Sequence, residues 1–439
     1  MTNHLIETHD GVTVVVVQKA TPALTFDAQL FFKVGAGYES KDLAGISHFL
    51  EHSVFLGTKK HRNRRDVELN LLGFGGTYNA ATGVNATSYM LSGALDSTSL
   101  ENGVSALMDL SMEATLDDEV EIKKEKKVVL SELDMELNQD GGWADQVQVA
   151  YETLFKGTVL EQSVLGSKRS LKNMSPHDLQ LYHALHYHKE RSCLALVTPL
   201  PPEDVMRRIS KVQVPRSATN GYHGSPRVVG NVNPSLKTVK CIETTSSTWD
   251  LDFFFDFPKP KNVKEFVALK LMTLVLFHSE LSALFGEARK KGLVYMAHGV
   301  PMSFLDTYIY RVVTNLAAEK AVRFWKIFRK QVKHLLDNGL DAVFLEFCKA
   351  HFYYSRQVLI ERYDLYATRL VEKEFLKENT YLPDEEVAVL GSVTEKDILD
   401  MMRGVFSSPR RVVTVRGPQM TAKVEQAMNK DEAFLEPIV

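Results

Sequence analysis

"VLGSKRSLKNMSPHDLQLYHALHYHKERSCLALVTP", residues Val164–Pro199, returns in outline as "VLGSVTEKDILDMMRGVFSSPRRVVTVRGP", Val389–Pro418. Both run from VLGS to a hydroxyl residue with an aspartate three positions on, then an amphipathic helix, a basic turn and an apolar strand. Ser175 with Asp178 and Thr394 with Asp397 mark the helix starts, because a side-chain oxygen there satisfies backbone N–H groups that the first turn leaves free. "FDAQLFFKVGAGYE" (Phe26–Glu39) and "TWDLDFFFDFPKP" (Thr248–Pro260) form a second pair, strands of similar length and aromatic content. A repeat of roughly 200 residues is far longer than a solenoid period and predicts a duplicated domain. "VPRSATNGYHGSPRVVGNVNPS", Val214–Ser235, is rich in Pro, Gly, Ser and Asn and reads as the boundary. The expected fold class is α+β: two homologous domains, residues 1–215 and 236–439, joined by one linker at 216–235.

Bulk properties agree with this reading and exclude several functions. A chain of 439 residues is too long for one compact core. Apolar content of 44% and charged content of 24% are ordinary for a folded protein. A net charge of -3 gives no electrostatic reason to expect nucleic acid or an anionic membrane as partner. Cys193, Cys241 and Cys348 are widely separated, form no zinc-type or redox pair, and fit a reducing compartment. "MTNHLIETHDGVTVVVVQ" lacks a basic region followed by a long apolar stretch, and no run has the apolar length of a membrane span. The expected location is cytoplasmic, with mitochondrial matrix or periplasm as the alternative if a targeting segment has been removed.

Local patterns place the remaining elements. Asp10–Gly11 predicts the turn of a hairpin into "VTVVVV". Leu43–Phe55, Arg64–Leu72, Leu100–Ala114 and Asp118–Asn138 read as helices, and Gly75–Leu95 as a hairpin around Gly83.

The chemistry lies in "GISHFLEHSVFLGT", Gly45–Thr58. On a helix His48 and His52 stand one turn apart on one face, so their imidazoles can converge on one cation at roughly 2.0–2.1 Å. Glu51 borders that face, where a carboxylate can accept a proton from metal-held water without being a ligand. His-x-x-Glu-His is the inverted form of the commoner His-Glu-x-x-His signature. A catalytic zinc usually takes a third protein ligand. The long helix offers Glu121, Glu125, Glu132 and Glu136; Glu125 and Glu132 share a face, two turns apart, with Glu136 one turn further. Spacing does not choose among these glutamates.

His48-x-x-Glu51-His52, followed some eighty residues later by "EKKVVLSE", resembles the pitrilysin and mitochondrial processing peptidase family of inverted zincins. "FFKVGAGYE" and "LNLLGFGGTYNAATGVNATSYM" resemble its first strand and its edge hairpin, so the likeness spans most of the chain. The resemblance implies His48, His52 and Glu132 as zinc ligands, one zinc per chain, Glu51 as general base, and Glu125 as the carboxylate that orients a ligand histidine. In "EARKKGLVYMAHG" it implies Arg289 and Tyr295 as donors to a substrate carbonyl or oxyanion. It implies Asn79 and Ala80 on the strand edge that receives substrate. It further implies domains built on a mainly antiparallel sheet with helices on one face, paired as a clamshell dimer. Since one chain carries both the zinc motif and the Arg/Tyr pair, a homodimer is favoured over a heterodimer with a paralogue. Asn85 is a departure, standing where the family usually has an acidic residue.

The function expected is zinc-dependent endopeptidase action on unfolded peptides or peptide segments in an enclosed chamber. The alternatives are a non-catalytic scaffold or peptide-binding subunit, and a catalytic subunit that needs an unlike partner. "GFGG", Gly73–Gly76, follows a helix and lacks a Gly-Lys-Ser/Thr ending, so it is a poor phosphate loop. His177, His183, His186 and His188 fall on different faces and read as solvated. His278 and Glu280 stand in "LFHSELS", but the second half has no second zinc motif.

Overall fold

A computed structural model describes residues 3–20, 23–138, 140–215, 232–304, 307–420, 422–430 and 438–439. The chain forms two compact units, each built on its own sheet. The first sheet has strands β1 (His4–His9), β2 (Val12–Gln18), β3 (Thr25–Phe32), β4 (Tyr78–Thr82), β5 (Thr87–Ala94) and β6 (Ser192–Thr198), in the order β1-β2-β6-β3-β5-β4. The second has β7 (Leu236–Glu243), β8 (Trp249–Phe257), β9 (Met296–Phe304), β10 (Thr307–Leu316) and β11 (Arg410–Gly417), in the order β7-β11-β8-β10-β9.

The sequence repeat is a topological repeat. β6 lies between β2, which it pairs in parallel, and β3, which it pairs antiparallel. β11 lies in the same way between β7 and β8. All other pairings are antiparallel. Ser175 and Thr394 both close reciprocal capping boxes with the aspartates three residues on. Asp10 and Gly11 both have positive φ, 43° and 88°, as a two-residue hairpin turn of matching twist requires.

The four helices read from the sequence are α1 (Ile46–Ser53), α2 (Arg64–Leu72), α3 (Ser99–Met112) and α4 (Glu119–Met135). Helix α1 is shorter than its apolar pattern because 3-10 turns at Lys41–Leu43 and Val54–Leu56 take up its ends. On one face of the first sheet Val14, Val16, Leu30, Phe32, Leu194 and Leu196 are buried. The opposite face is also covered: Val15, Val17, Phe31, Cys193, Ala195 and Val197 pack against Tyr366, Ala367 and Leu370 of the helix Tyr363–Leu370. That is why "VVVV" is buried at consecutive positions rather than alternate ones. In the second unit Phe253 stacks on Trp325 at 4.7 Å, within a core that includes Phe255, Phe328 and Phe406.

The units interleave along the chain. The first takes residues 1–134, 162–228 and 359–382; the second takes 135–161, 229–358 and 383–439. The helix Gln146–Leu154 thus packs on β11 of the second sheet, where Gln146 Nε2 donates to Thr414 Oγ1 at 2.9 Å. The contiguous ranges 1–215 and 236–439 do not contain this exchange of segments, which local periodicity does not reveal. Residues 216–231, most of the expected linker, lie outside the described residues.

Candidate metal centre

Helix α1 buries Ile46, Phe49, Leu50 and Ser53, spaced three and four apart, and so turns His48, Glu51 and His52 to its other side. The two imidazole rings lie 4.7 Å apart between centroids. Helix α4 brings Glu132 to both: its Oε2 is 3.5 Å from His48 Nε2 and 3.5 Å from His52 Nε2. A tetrahedral zinc with bonds of roughly 2.0–2.1 Å holds its ligand atoms about 3.3–3.5 Å apart, so these donors fit that ion. Among the described residues this is the single group of three or more such side chains with ligand atoms this close. The structure thus separates the glutamates that spacing left equivalent.

Glu125 takes a different place on α4. Its Oε1 is 3.0 Å from His52 Nδ1, and Arg64 of α2 donates to its Oε2. With Nδ1 hydrogen-bonded to the carboxylate, Nε2 is left with its lone pair toward Glu132. Burial raises the Glu125 carboxyl, but the bonds and charges of His52 and Arg64 outweigh it and hold its pKa below the ordinary value. His52 shows the converse: burial pulls it down, while Glu125, Glu132 and Glu51 together raise it. Burial, with the charge of His52, pushes His48 down to about 4, so near neutral pH it is the uncharged, ligating form. His48 Nδ1 is buried without a hydrogen-bond partner, so no bond at that nitrogen orients this ring.

Glu51 points to the edge strand. Thr82 of β4 donates to its Oε2 at 2.7 Å. Burial raises its pKa, opposed by this bond and by the charge of His52. Neither Thr82 nor Arg64 is among the residues that the sequence singles out. Nothing in their local sequence marks them, since each reaches it only through the packing of β4 or α2 beside α1.

β4 pairs with β5 on one side only. Ser92 N donates to Thr77 O and Gly83 N to Ala86 O, which fixes the alternation of the ladder. Asn79 and Ala81 then turn their main-chain groups to β5, and Tyr78, Ala80 and Thr82 turn theirs to the free edge. Asn79 Oδ1 accepts from Ala80 N at 2.9 Å and so covers one of these edge donors. The Asn79 side chain lies on the sheet face away from Thr82, lining a cavity of about 360 Å³ with Asp27, Gln29, Met90, Asp364 and Thr368. Asn85, at the hairpin tip, donates to Glu378 Oε1 at 2.7 Å.

Arg289 and Tyr295 come together in the second unit. Arg289 Nη1 donates to Tyr295 O at 2.9 Å, and its guanidinium carbon lies 4.8 Å from the centre of the Tyr295 ring. Tyr295 is 78% exposed, and the pair lines a cavity of about 360 Å³ with Thr248, Asn315 and Lys320. The expectation of solvated histidines at 177–188 is corrected: His183, His186 and His188 are buried. His183 Nε2 bonds to Ser111 O at 2.6 Å and its ring stacks on Tyr187, so it serves the core.

Comparison with known proteins accords with this geometry. Residues 14–167 match the model of the insulinase family, peptidase family M16, and residues 173–351 match that of the M16 inactive domain. The chain belongs to the M16 peptidase family. A Rickettsia bellii protein described as an uncharacterized zinc protease is 22% identical over 381 residues, 86% of this chain and 89% of that one. The human mitochondrial-processing peptidase subunit beta is 34% identical over 167 residues, 38% of this chain and 33% of the relative. A protease from Helicobacter pylori shares the fold with a TM-score of 0.82 at 17% identity, covering 95% of this chain and 100% of the other. The M16 match that contains the metal motif is the first, and the second-half match bears the inactive description, in line with a single His-x-x-Glu-His. Among the described residues, no helix is long and apolar enough to cross a membrane.

Proposed function

We propose that this M16 chain is a zinc-dependent endopeptidase acting on unfolded peptides or peptide segments. The observation that carries the reading is the convergence of His48, His52 and Glu132 beside a Glu51 that is not itself in the ligand set. His48, His52 and Glu132 would hold one zinc ion, which when bound supplies a Lewis acid that polarises the substrate carbonyl and acidifies water. Glu51 takes the proton of the attacking water and gives it to the leaving amine. A carboxyl whose pKa is raised by burial is better suited to both transfers than an exposed one. Glu125 and Arg64 hold His52 in the ligating tautomer.

The free edge of β4 offers the outward N–H and C=O groups of Tyr78, Ala80 and Thr82 to an extended peptide. Main-chain pairing of that kind binds with little regard to sequence, which suits a peptidase for unfolded segments. Asn79 would release the Ala80 N–H as the peptide docks. Arg289 and Tyr295 are assigned to the oxyanion on the family resemblance, supplied by a second copy of the chain in a clamshell homodimer. Zinc-motif and Arg/Tyr residues on one chain support that choice over an unlike partner. Three cysteines, none in a disulfide, support a reducing compartment such as the cytoplasm.

The test is cleavage of a quenched-fluorescence peptide library by the purified protein, with and without chelator, beside Glu51→Gln. Cleavage that disappears with chelator, returns with zinc, and is lost in a zinc-loaded Glu51→Gln variant supports the reading. Stoichiometric zinc with no cleavage of any library member rejects it for the homo-oligomer and leaves the scaffold or unlike-partner alternatives.

A further inference from the structure

Helix α1 does not cap itself. Its N-cap residue is Gly45, at φ 89°, with no side chain to accept from the first turn. Two N–H groups at its start, one on the N-cap and one in the first turn, are instead met by Glu39, in the turn after β3. Glu39 Oε2 accepts from Gly45 N at 2.7 Å, and Oε1 accepts from Ser47 N at 2.8 Å. Glu39 is fully buried, and among the described residues no cation pairs with it. A buried carboxylate without a counter-ion is costly unless hydrogen bonds compensate, so its place at this helix N-terminus is the feature to explain.

A second clamp acts on the same turn. Ser170 Oγ donates to Ala44 O at 2.7 Å, and Ser47 Oγ lies 3.0 Å from Tyr182 Oη. A Cβ on Gly45 would meet Leu165 O at 2.7 Å, and one on Gly166 would meet Ala44 O at 2.2 Å. The VLGS of the first repeat is therefore pressed against the start of α1. Gly391, its counterpart in the second repeat, has nothing within 4 Å of a Cβ. The close approach belongs to the half that carries the metal motif.

His48 is the residue after Ser47, within the first turn of α1. His52 is held by Glu125, but His48 Nδ1 has no hydrogen-bond partner. An eight-residue helix is too short to be stable by itself, and its first turn frays when its N–H groups are unmet. The position of His48 relative to Glu132 therefore depends on whatever pins that turn.

We propose that Glu39 is a positioning residue of the metal centre: its two carboxylate oxygens pin the first turn of α1 and so hold His48 in register with His52 and Glu132. The metal role of these three residues rests on the function proposed above, whereas the pinning of α1 does not.

Glu39→Gln keeps the side-chain volume but replaces one acceptor oxygen with an NH₂ group that faces a backbone N–H. Three measurements on the full chain test it: amide hydrogen exchange of the metal-free protein, zinc affinity by competition with a chromophoric chelator, and kcat and KM. The expected result is faster exchange at residues 45–49 with α3 unchanged, zinc affinity lower by about 10- to 100-fold, and kcat reduced with KM little altered. A merely structural loss would speed exchange in α1 and α3 together, and that outcome overturns the proposal. Wild-type exchange in α1 with wild-type zinc affinity overturns it as well. Should Glu39→Gln not fold, Glu39→Asp, which keeps the charge but is too short to span both N–H groups, carries the same expectations. A wild type that binds zinc and shows the exchange contrast yet cleaves no peptide overturns the peptidase reading alone.

Discussion

Thr82 on the edge strand β4 donates a 2.7 Å hydrogen bond to Glu51 on helix α1, joining the strand that would receive a peptide to the carboxylate that would move its proton. The bond favours the ionised form of Glu51 and offsets part of the rise that burial causes. In Thr82→Val the Glu51 pKa therefore climbs further, and the acidic limb of the kcat/KM profile moves to higher pH. Turnover falls more at pH 6 than at pH 8, with zinc content unchanged. A pH profile of peptide cleavage checks this, and a uniform loss at all pH values would count against Glu51 as the base.

Metal removal should cost both activity and stability. Dialysis against chelator is expected to abolish cleavage and lower the melting temperature, since zinc at roughly 100 times its Kd stabilises the folded chain by about 3 kcal/mol. Glu132→Gln, which weakens the third ligand, should lose stoichiometric zinc by atomic absorption, whereas Glu136→Gln should keep it.

Ala80→Pro tests strand addition. The Ala80 N–H faces the free edge and not β5, so proline there leaves the ladder intact while removing a donor to substrate. Peptide kcat/KM is expected to fall about 10- to 100-fold, a loss of roughly 1.5–3 kcal/mol for a hydrogen bond and its displaced partner strand. Zinc binding should be unaffected. Unchanged kcat/KM would mean the peptide does not pair with β4.

The composite-site proposal predicts complementation. Glu51→Gln and Arg289→Ala homodimers should each be inactive or nearly so. Their mixture, after subunit exchange, should regain one intact site per heterodimer, measurable as recovered cleavage. No recovery despite demonstrated exchange would place all catalytic groups within one chain.

Glu39 also makes a pH prediction. Burial raises its pKa to about 7 in the folded protein, against 4.5 as the reference value. A carboxyl raised on folding contributes stability that is complete below its unfolded pKa and is lost as pH rises through the folded one. Between pH 4.5 and 7 wild type should therefore lose about 3 kcal/mol of stability relative to Glu39→Gln, which does not titrate. Urea melts of both proteins across that window, taken as a difference, isolate the effect; parallel curves would show that Glu39 stays ionised.

The residues at this site differ in how far local sequence specifies them. His48, Glu51 and His52 lie within five positions, and the apolar spacing of Ile46, Phe49 and Leu50 sets which way they turn, so local periodicity places them. Capping boxes at Ser175 and Thr394 and the Asp10–Gly11 turn are equally local, because each is made by residues within four positions of one another. Glu125 and Glu132 were legible as a shared face of α4, but their different duties were not. Only the approach of α1 and α2 to α4 decides that one meets Nδ1 of His52 and the other Nε2. His183, His186 and His188 looked polar and solvated because periodicity reports a helix face, not what packs on it.

The sequence by itself determined the duplication, the α+β character, the helix and hairpin starts, and the pair of candidate metal-ligating histidines. Apart from the duplication, which is read by comparing the two halves, these follow from interactions between near neighbours in the chain. Tertiary structure alone decided that Glu132 joins the candidate ligand group, that Thr82 bonds Glu51 and Arg64 bonds Glu125, and that residues 135–161 and 359–382 change units. Each of these is a contact between segments remote in sequence, and only the packing of their buried faces against one another specifies it.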